Sequence, residues 1–293
     1  MKAITSSFLD YYQANLDKQY ELFNKFNLTT FCIRKIGGKE FANFLNPEEY
    51  IKFFIQKRID VSLFDPLIPP YFLNNEEQTN NFREVWIKAI NFAVKIKSDS
   101  IVYELPIFED VIAQKEQILL EILKDISLAK NFKLKVVIKF SKHHKHNIYF
   151  YLLNHLPKGV SVLFDPTHIY LSKESITTSF RVLKNHITYV ICDDIDKNNH
   201  PRLIGYGEVN WIELFKKLYK IDFSGLVILD LSVLENIINV EEKTSFFKRF
   251  TKGYKLKNKL KYDLEQRVGS TDEESIIDSQ LKVLSHIMYN KKE

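Results

Sequence analysis

Apolar residues along this chain fall into short runs separated by longer amphipathic stretches. The first amphipathic stretch, from Ser6 to about Lys25, sets Phe8, Leu9, Tyr12, Leu16, Tyr20, Leu22 and Phe23 near helical spacing and predicts a helix. Residues 28–34 (LTTFCIR) read as a strand. Asn46-Pro47-Glu48-Glu49 then carries a helix start: a capping Asn, Pro at the first helical position, and acids in the first turn. Further strands are predicted over 59–64, 100–105, 134–140, 160–164, 187–192, 203–206 and 226–231. Helices are predicted between them, over 81–97, 112–131, 148–156, 173–183 and 211–219. Eight short apolar strands alternating with helices imply an α/β fold, a (β/α)8 TIM barrel rather than an open sheet. The pattern divides the chain into an N-terminal helix (1–27), the barrel (28–240) and a helical C-terminal extension (241–293).

Residues 160–168, VSVLFDPTH, locate the first candidate chemistry. A run of buried-strand character ends at Asp165, Pro166 breaks it, and His168 follows three residues after the aspartate. Parallel α/β folds collect their chemistry where strands end. An aspartate there can also do no more than cap the next turn.

Composition narrows the setting. With 45% hydrophobic and 27% charged residues the chain has an ordinary globular make-up, and only 8 Gly and 8 Pro argue for long elements with short connections. A net charge of +5 is too small to imply nucleic acid. Cys32 and Cys192 lie far apart in strand-like runs and read as core thiols of a reducing compartment. No run of about 18 uncharged apolar residues exists and no signal-peptide pattern opens the chain, so the expected location is cytoplasmic and no membrane partner is expected. Residues 248–261 hold seven basic residues and no acid, read as a solvated helix face rather than an anion or RNA patch. Thr271-x-x-Glu274 is a capping box that opens a last helix, to about Asn290. The helical extension is a candidate surface for homo-oligomers.

The stretch from Arg202 to Leu231 carries a family resemblance. Gly205-Tyr206-Gly207-Glu208-Val209-Asn210-Trp211, then a helix, then Phe223-Ser224-Gly225-Leu226-Val227-Ile228-Leu229-Asp230, is similar to the end of the sugar-phosphate isomerase/epimerase family. That family belongs to the xylose isomerase-like TIM barrels, which also include endonuclease IV-type repair enzymes. Phe164-Asp165-Pro166-Thr167-His168 resembles the end of the family's fifth strand, and residues 34–49 resemble the segment after its first. The resemblance implies a divalent cation at the C-terminal strand ends, held by Glu from strand four, Asp from five, His from six and Glu from eight. It implies proton transfer through an enediolate on a small sugar-like compound.

Carried over by position, Asp165 matches the strand-five ligand and Asp230 stands at the strand-eight glutamate. Lys139 stands at the strand-four glutamate and Ile191 at the strand-six histidine, with Asp193 two places further as an alternative oxygen donor. The resemblance thus leaves Asp165 and Asp230 as metal ligands of a degenerate site, with divalent metal the candidate cofactor. The ammonium of Lys139 is expected between Asp165 and Asp230 in the metal's place. Asp165, Asp230, Lys139 and Glu104 are the catalytic candidates; His168, Arg34 and Glu208 are the substrate-binding ones, Arg34 for an anionic group. Arg34 and Glu104 could equally be structural ion pairs, and Glu208 and Asn210 could only shape their turn. His143, His144 and His146 read as a polar surface loop rather than a metal cluster. Two functions follow: a sugar isomerase or epimerase, or a barrel that has lost catalysis and serves as a binding or regulatory protein. A repair endonuclease would need many more His, Asp and Glu at its strand ends.

Overall fold

Eight parallel strands make one sheet in a computed structural model that describes residues 3–231, 252–270 and 272–289. In chain order they are β1 (Ile4–Ser7), β2 (Phe31–Ile33), β3 (Val61–Phe64), β4 (Ser100–Glu104), β5 (Lys135–Lys139), β6 (Ser161–Phe164) and β7 (Ile187–Cys192). A small hairpin of β8 (Asp194–Ile195) and β9 (Pro201–Arg202) intervenes before the eighth barrel strand, β10 (Leu226–Leu229). The sheet runs β1-β10-β7-β6-β5-β4-β3-β2, and the two edges meet through a parallel bridge between Phe8 and Cys32. That is a TIM barrel with its seam between β1 and β2.

The strands are apolar on both faces because both faces are covered. Outward residues such as Val162 and Phe164 join the large core under the helices, while Phe8, Cys32, Leu63, Val102, Val137, Leu163, Ile191 and Ile228 fill the lumen. Every strand sends at least one side chain inward, so the interior is packed solid.

Two expected elements differ. The helix expected from Ser6 begins only at Leu16, as Leu16–Lys25, capped by Asn15 Oδ1 accepting from the Lys18 N–H (2.9 Å). The residues ahead of it supply the first barrel strand, so the strands expected first to sixth are the second to seventh. The strand expected over 203–206 is a loop. Gly205 turns it at φ +84°, and the Ile204 N–H donates to Gln280 Oε1 (2.7 Å) in the last helix. The other expected helices form with shifted ends, for example Glu76–Lys95 and Lys115–Lys130.

The segment read as an extension packs into the outer ring. Helix Glu273–Tyr289 buries Ile276, Ile277, Leu284 and Met288, and Tyr289 donates to Ala3 O (3.2 Å) beside β1. Its Glu274 is ion-paired with Lys18 (2.7 Å) and with Lys25 of the first helix. The last helix therefore packs beside β1 and against the helix Trp211–Lys220. The Asp272 carboxylate accepts from the Ser275 N–H (3.0 Å) at its start; Thr271 of the expected capping box and residues 248–251 of the basic stretch lie outside the described residues. No described helix is long and apolar enough to cross a membrane.

Candidate active site at the barrel mouth

A two-residue step builds the mouth. Successive strand side chains point to opposite faces, so the residue two places beyond a lumen residue points the same way, one layer higher. Applied to the eight lumen residues, that step gives Asp10, Arg34, Asp65, Glu104, Lys139, Asp165, Asp193 and Asp230. Every strand end thus presents a charged group to the C-terminal mouth, six of them carboxylates.

The two cations gather four of the acids into two clusters. Arg34 donates from Nε and Nη2 to Asp10 (2.9 Å each), and from Nη1 and Nη2 to Asp230 (2.6 and 3.3 Å). Its guanidinium lies 4.3 Å from the centre of the Phe8 ring. Burial alone would lower the guanidinium pKa, but Asp230 and Asp10 raise it well above the ordinary arginine value, so the fork is permanently charged. The sequence expectation offered Arg34 an anionic substrate or a structural ion pair; the structure puts it in the ion pair. Lys139 lies 3.4 Å from Asp65 and 3.8 Å from Glu104. That corrects the expectation that its ammonium sits between Asp165 and Asp230: β5 lies next to β4, and Asp230 is already engaged across the seam by Arg34. Burial pushes the Glu104 carboxyl up, with Lys139 opposing.

Asp165 and Asp193 remain, on adjacent strands, with no ion pair to Arg or Lys among the described residues. Asp165 Oδ1 accepts from the His168 N–H (2.8 Å) and so caps the short helix Pro166–Leu171. Both readings of that aspartate are thereby met: it caps a turn and it faces the mouth. Among the described residues, buried Asp193 Oδ1 has no hydrogen-bond partner, and neither has His168 Nε2. Burial raises the Asp165 carboxyl, with Asp230 adding to it and the His168 N–H and ring opposing. Asp193 is raised as well, by burial and then by Asp165 and Asp230. Ile191, which the resemblance set at a ligand position, is a lumen residue; Asp193 is the group that reaches the mouth.

A cleft of about 970 Å³ opens over β4 to β6, lined by Glu104, Phe140, His143, His168 and Glu174 among others. The histidine loop beside it is less exposed than expected. His144 stacks on Phe108 at 4.0 Å between ring centres with Nε2 2.8 Å from Pro106 O, and His146 Nδ1 lies 2.5 Å from Glu174 Oε2. The two rings are committed to different partners. Among the described residues, no three His, Cys, Asp or Glu side chains are grouped so as to hold a metal ion.

The glycine-rich motif has a structural task. The Asp194 carboxylate accepts from the N–H groups of Ile195, Gly205, Gly207 and Val209, at 3.0 to 3.2 Å. A Cβ on Gly207 would lie 2.1 Å from Asp194 Oδ1, so only glycine lets the loop close around that side chain. Asn210 caps the helix Trp211–Lys220, accepting from the Glu213 N–H (3.0 Å). Glu208 lies near the Tyr170 hydroxyl, whose pKa is raised by burial and by Glu208, and lines a separate rim cleft of about 580 Å³ with Arg202 and Arg267, away from the charged ring. The strand starts at the opposite end of the barrel frame another cleft of about 720 Å³, but its hydroxyls satisfy one another, as Ser100–Tyr189 (2.8 Å) and Thr188–Ser161 (2.7 Å) do.

No protein-family model matches the sequence, and no curated protein matches it either. Solved structures do match in fold. The IolI protein, solved with a zinc atom bound, is similar over 100% of both chains, at 15% identity and a TM-score of 0.67. D-psicose 3-epimerase from Clostridium cellulolyticum H10, solved with D-tagatose, is similar over 97% of this chain and 99% of its own, at 12% identity and a TM-score of 0.66. AsbF from Bacillus anthracis, described as a probable 3-DHS dehydratase, is similar over 99% and 100%, at 10% identity and a TM-score of 0.66. The chain shares the barrel fold of xylose isomerase-like sugar epimerases and isomerases.

Proposed function

We propose that this chain is a sugar isomerase- or epimerase-like barrel that moves a proton at a carbon next to the carbonyl of a small polyhydroxy compound. The observation that carries the reading is the pair of half-buried Asp165 and buried Asp193, on neighbouring strand ends and, among the described residues, without an Arg or Lys partner beside the two clusters. A carboxylate removes the proton from the α-carbon and leaves an enediolate. A protonated carboxyl returns a proton to the neighbouring carbon for isomerisation, the hydroxyl proton passing to the former carbonyl oxygen, or returns it to the other face of the same carbon for epimerisation. Both roles need one carboxylate and one carboxylic acid near neutral pH, and burial beside like charges moves aspartates toward that condition. His168 lines the cleft, and its Nε2 has no partner among the described residues, which supports a role in meeting a substrate hydroxyl.

The fold family implies a divalent cation, and the donor set here does not fit one. Of the four positions that would ligate it, Lys139 is a cation, Asp230 is taken by the Arg34 fork, and Asp165 already accepts from the His168 N–H. Asp193 Oδ1 has no hydrogen-bond partner among the described residues. This donor set supports reading the metal site as degenerate, with proton transfer left to the side chains. The same commitment of Asp230 favours the second reading, a binding or regulatory protein on the same barrel.

Incubation with a panel of ketoses and aldoses in D2O, read by proton NMR, separates the two. Deuterium should enter the carbon next to the carbonyl of at least one sugar, and exchange should fall by at least about a hundredfold in Asp165→Asn and in Asp193→Asn. Exchange that survives both substitutions defeats the catalytic assignment. Ligand binding without exchange across the panel leaves the binding-protein reading.

A further inference from the structure

We propose that fixed side-chain cations stand in the place of a divalent metal at this mouth: Arg34 retires Asp230 into the barrel seam, and the ammonium of Lys139 is the positive group that meets a ligand oxygen. The oxyanion class of that ligand rests on the proton-transfer reading above; the division of labour between the two cations stands on geometry.

Arg34 is a seam residue. β1 and β2 are joined at the bridge of Phe8 with Cys32, and Asp10 and Arg34 are the residues two places beyond it on the two edges. The guanidinium spans from Asp10 on one edge to Asp230 beyond β10, with Phe8 beneath it. Four of its hydrogen bonds go to these two carboxylates, all between 2.6 and 3.3 Å. Such forked pairing is specific in direction and leaves neither partner available for other work. The carboxylate at a ligand position has thus become part of the closure of the barrel.

Lys139 is held differently. Its contacts to Asp65 and Glu104, at 3.4 to 3.8 Å, are longer than charge-assisted hydrogen bonds normally are. The acids keep the ammonium in place through long contacts, which leave it room for a closer partner. β5 lies between β4 and β6, so Lys139 stands between Glu104 and the Asp165–His168 turn, and both Glu104 and His168 line the large cleft. Its side chain retains 22% exposure, whereas that of Arg34 retains 12%. An ammonium is a compact charge with three rotatable donors, suited to a carbonyl oxygen that gains charge as the neighbouring proton leaves.

The test uses the full-length protein and glycolohydroxamate, a small planar mimic of an enediolate that is charged when its N–OH ionises, by isothermal titration. Binding should be unchanged by EDTA or by added Mn2+, should weaken about tenfold or more in Lys139→Met, and should recover partly in Lys139→Arg. If Lys139→Met does not fold, the double substitution Lys139→Met with Asp65→Asn carries the same comparison. Paramagnetic resonance should find no stoichiometric Mn2+ site. The inference is overturned if Mn2+ binds one-to-one and is lost in Asp165→Asn, if EDTA abolishes hydroxamate binding, if Lys139→Met binds as well as the parent, or if the hydroxamate does not bind at all. Failure of every sugar in the D2O panel, with Lys139-dependent binding retained, removes the isomerase reading and leaves this inference standing.

Discussion

Ile191 and Asp193 share one face of one strand, and the single pleat between them separates a lumen residue from a mouth residue. Counting from a family histidine lands on Ile191; counting from the apolar lumen layer lands on Asp193. The second count rests on a physical constraint, because a strand cannot turn one side chain inward without turning the residue two places on the same way. Asp193 also carries a measurable consequence. Its folded carboxyl is raised above the ordinary aspartate range by burial and by Asp165 and Asp230. As pH rises the unfolded chain releases this proton first, so between the ordinary value and the raised one the native state holds more protons and stability falls. Below that window both states are protonated, and above it the loss is constant. Asp193→Asn cannot ionise, so its urea midpoint should equal or exceed the parent's at about pH 7, and should decline less between about pH 4 and pH 7. A steeper decline in the variant would show that Asp193 is not destabilised by its charge.

At the level of elements, the strands that were legible are those with apolar residues on both faces, such as Val162, Leu163 and Phe164 in β6. β1 was hidden because its last two residues are Ser6 and Ser7. Both are buried, and both satisfy their hydroxyls on neighbouring backbone, Ser6 on Thr30 O (2.8 Å) and Ser7 on Leu229 O (3.0 Å). A strand whose inward polarity is cancelled by its neighbours carries no hydrophobic signal. The loop 203–206 shows the reverse: Leu203 and Ile204 are buried in helix packing, Ile204 beside Gln280 of the last helix, and do not pair in a sheet. The glycine motif that carries the resemblance acts here as a wrap around Asp194. Gly207→Ala would press a methyl against Asp194 Oδ1 and against Ile195 O (2.4 Å), so a loss of about 1–3 kcal/mol is expected in urea unfolding. An unchanged midpoint would mean that the loop is free to move away.

For the molecule as a whole, closure is shared by residues far apart in sequence. Inside the mouth, Arg34 joins Asp10 and Asp230; outside it, the last helix covers β1 and reaches the first helix through Glu274. The final helix thus belongs to the barrel's outer ring. Leu284 is fully buried in that packing, and Leu284→Ala should cost about 2–5 kcal/mol, read as a lower urea midpoint. A change below about half a kcal/mol, typical of exposed sites, would show that the helix contributes little to the barrel.

The alternation of apolar strands and amphipathic helices was enough to determine a (β/α)8 barrel, and Asp165, Glu104 and Lys139 could be read as strand-end residues from the runs they terminate. These are local properties: period, strand length, and the polar residue that ends each run. The pairing of charges was decided only in three dimensions. Which acid Lys139 meets, which two Arg34 joins, and which two aspartates are left over depend on strand neighbours in the closed sheet. Charge attraction acts through distance in space, and no spacing along the chain encodes that Asp10, Arg34 and Asp230 meet at one seam.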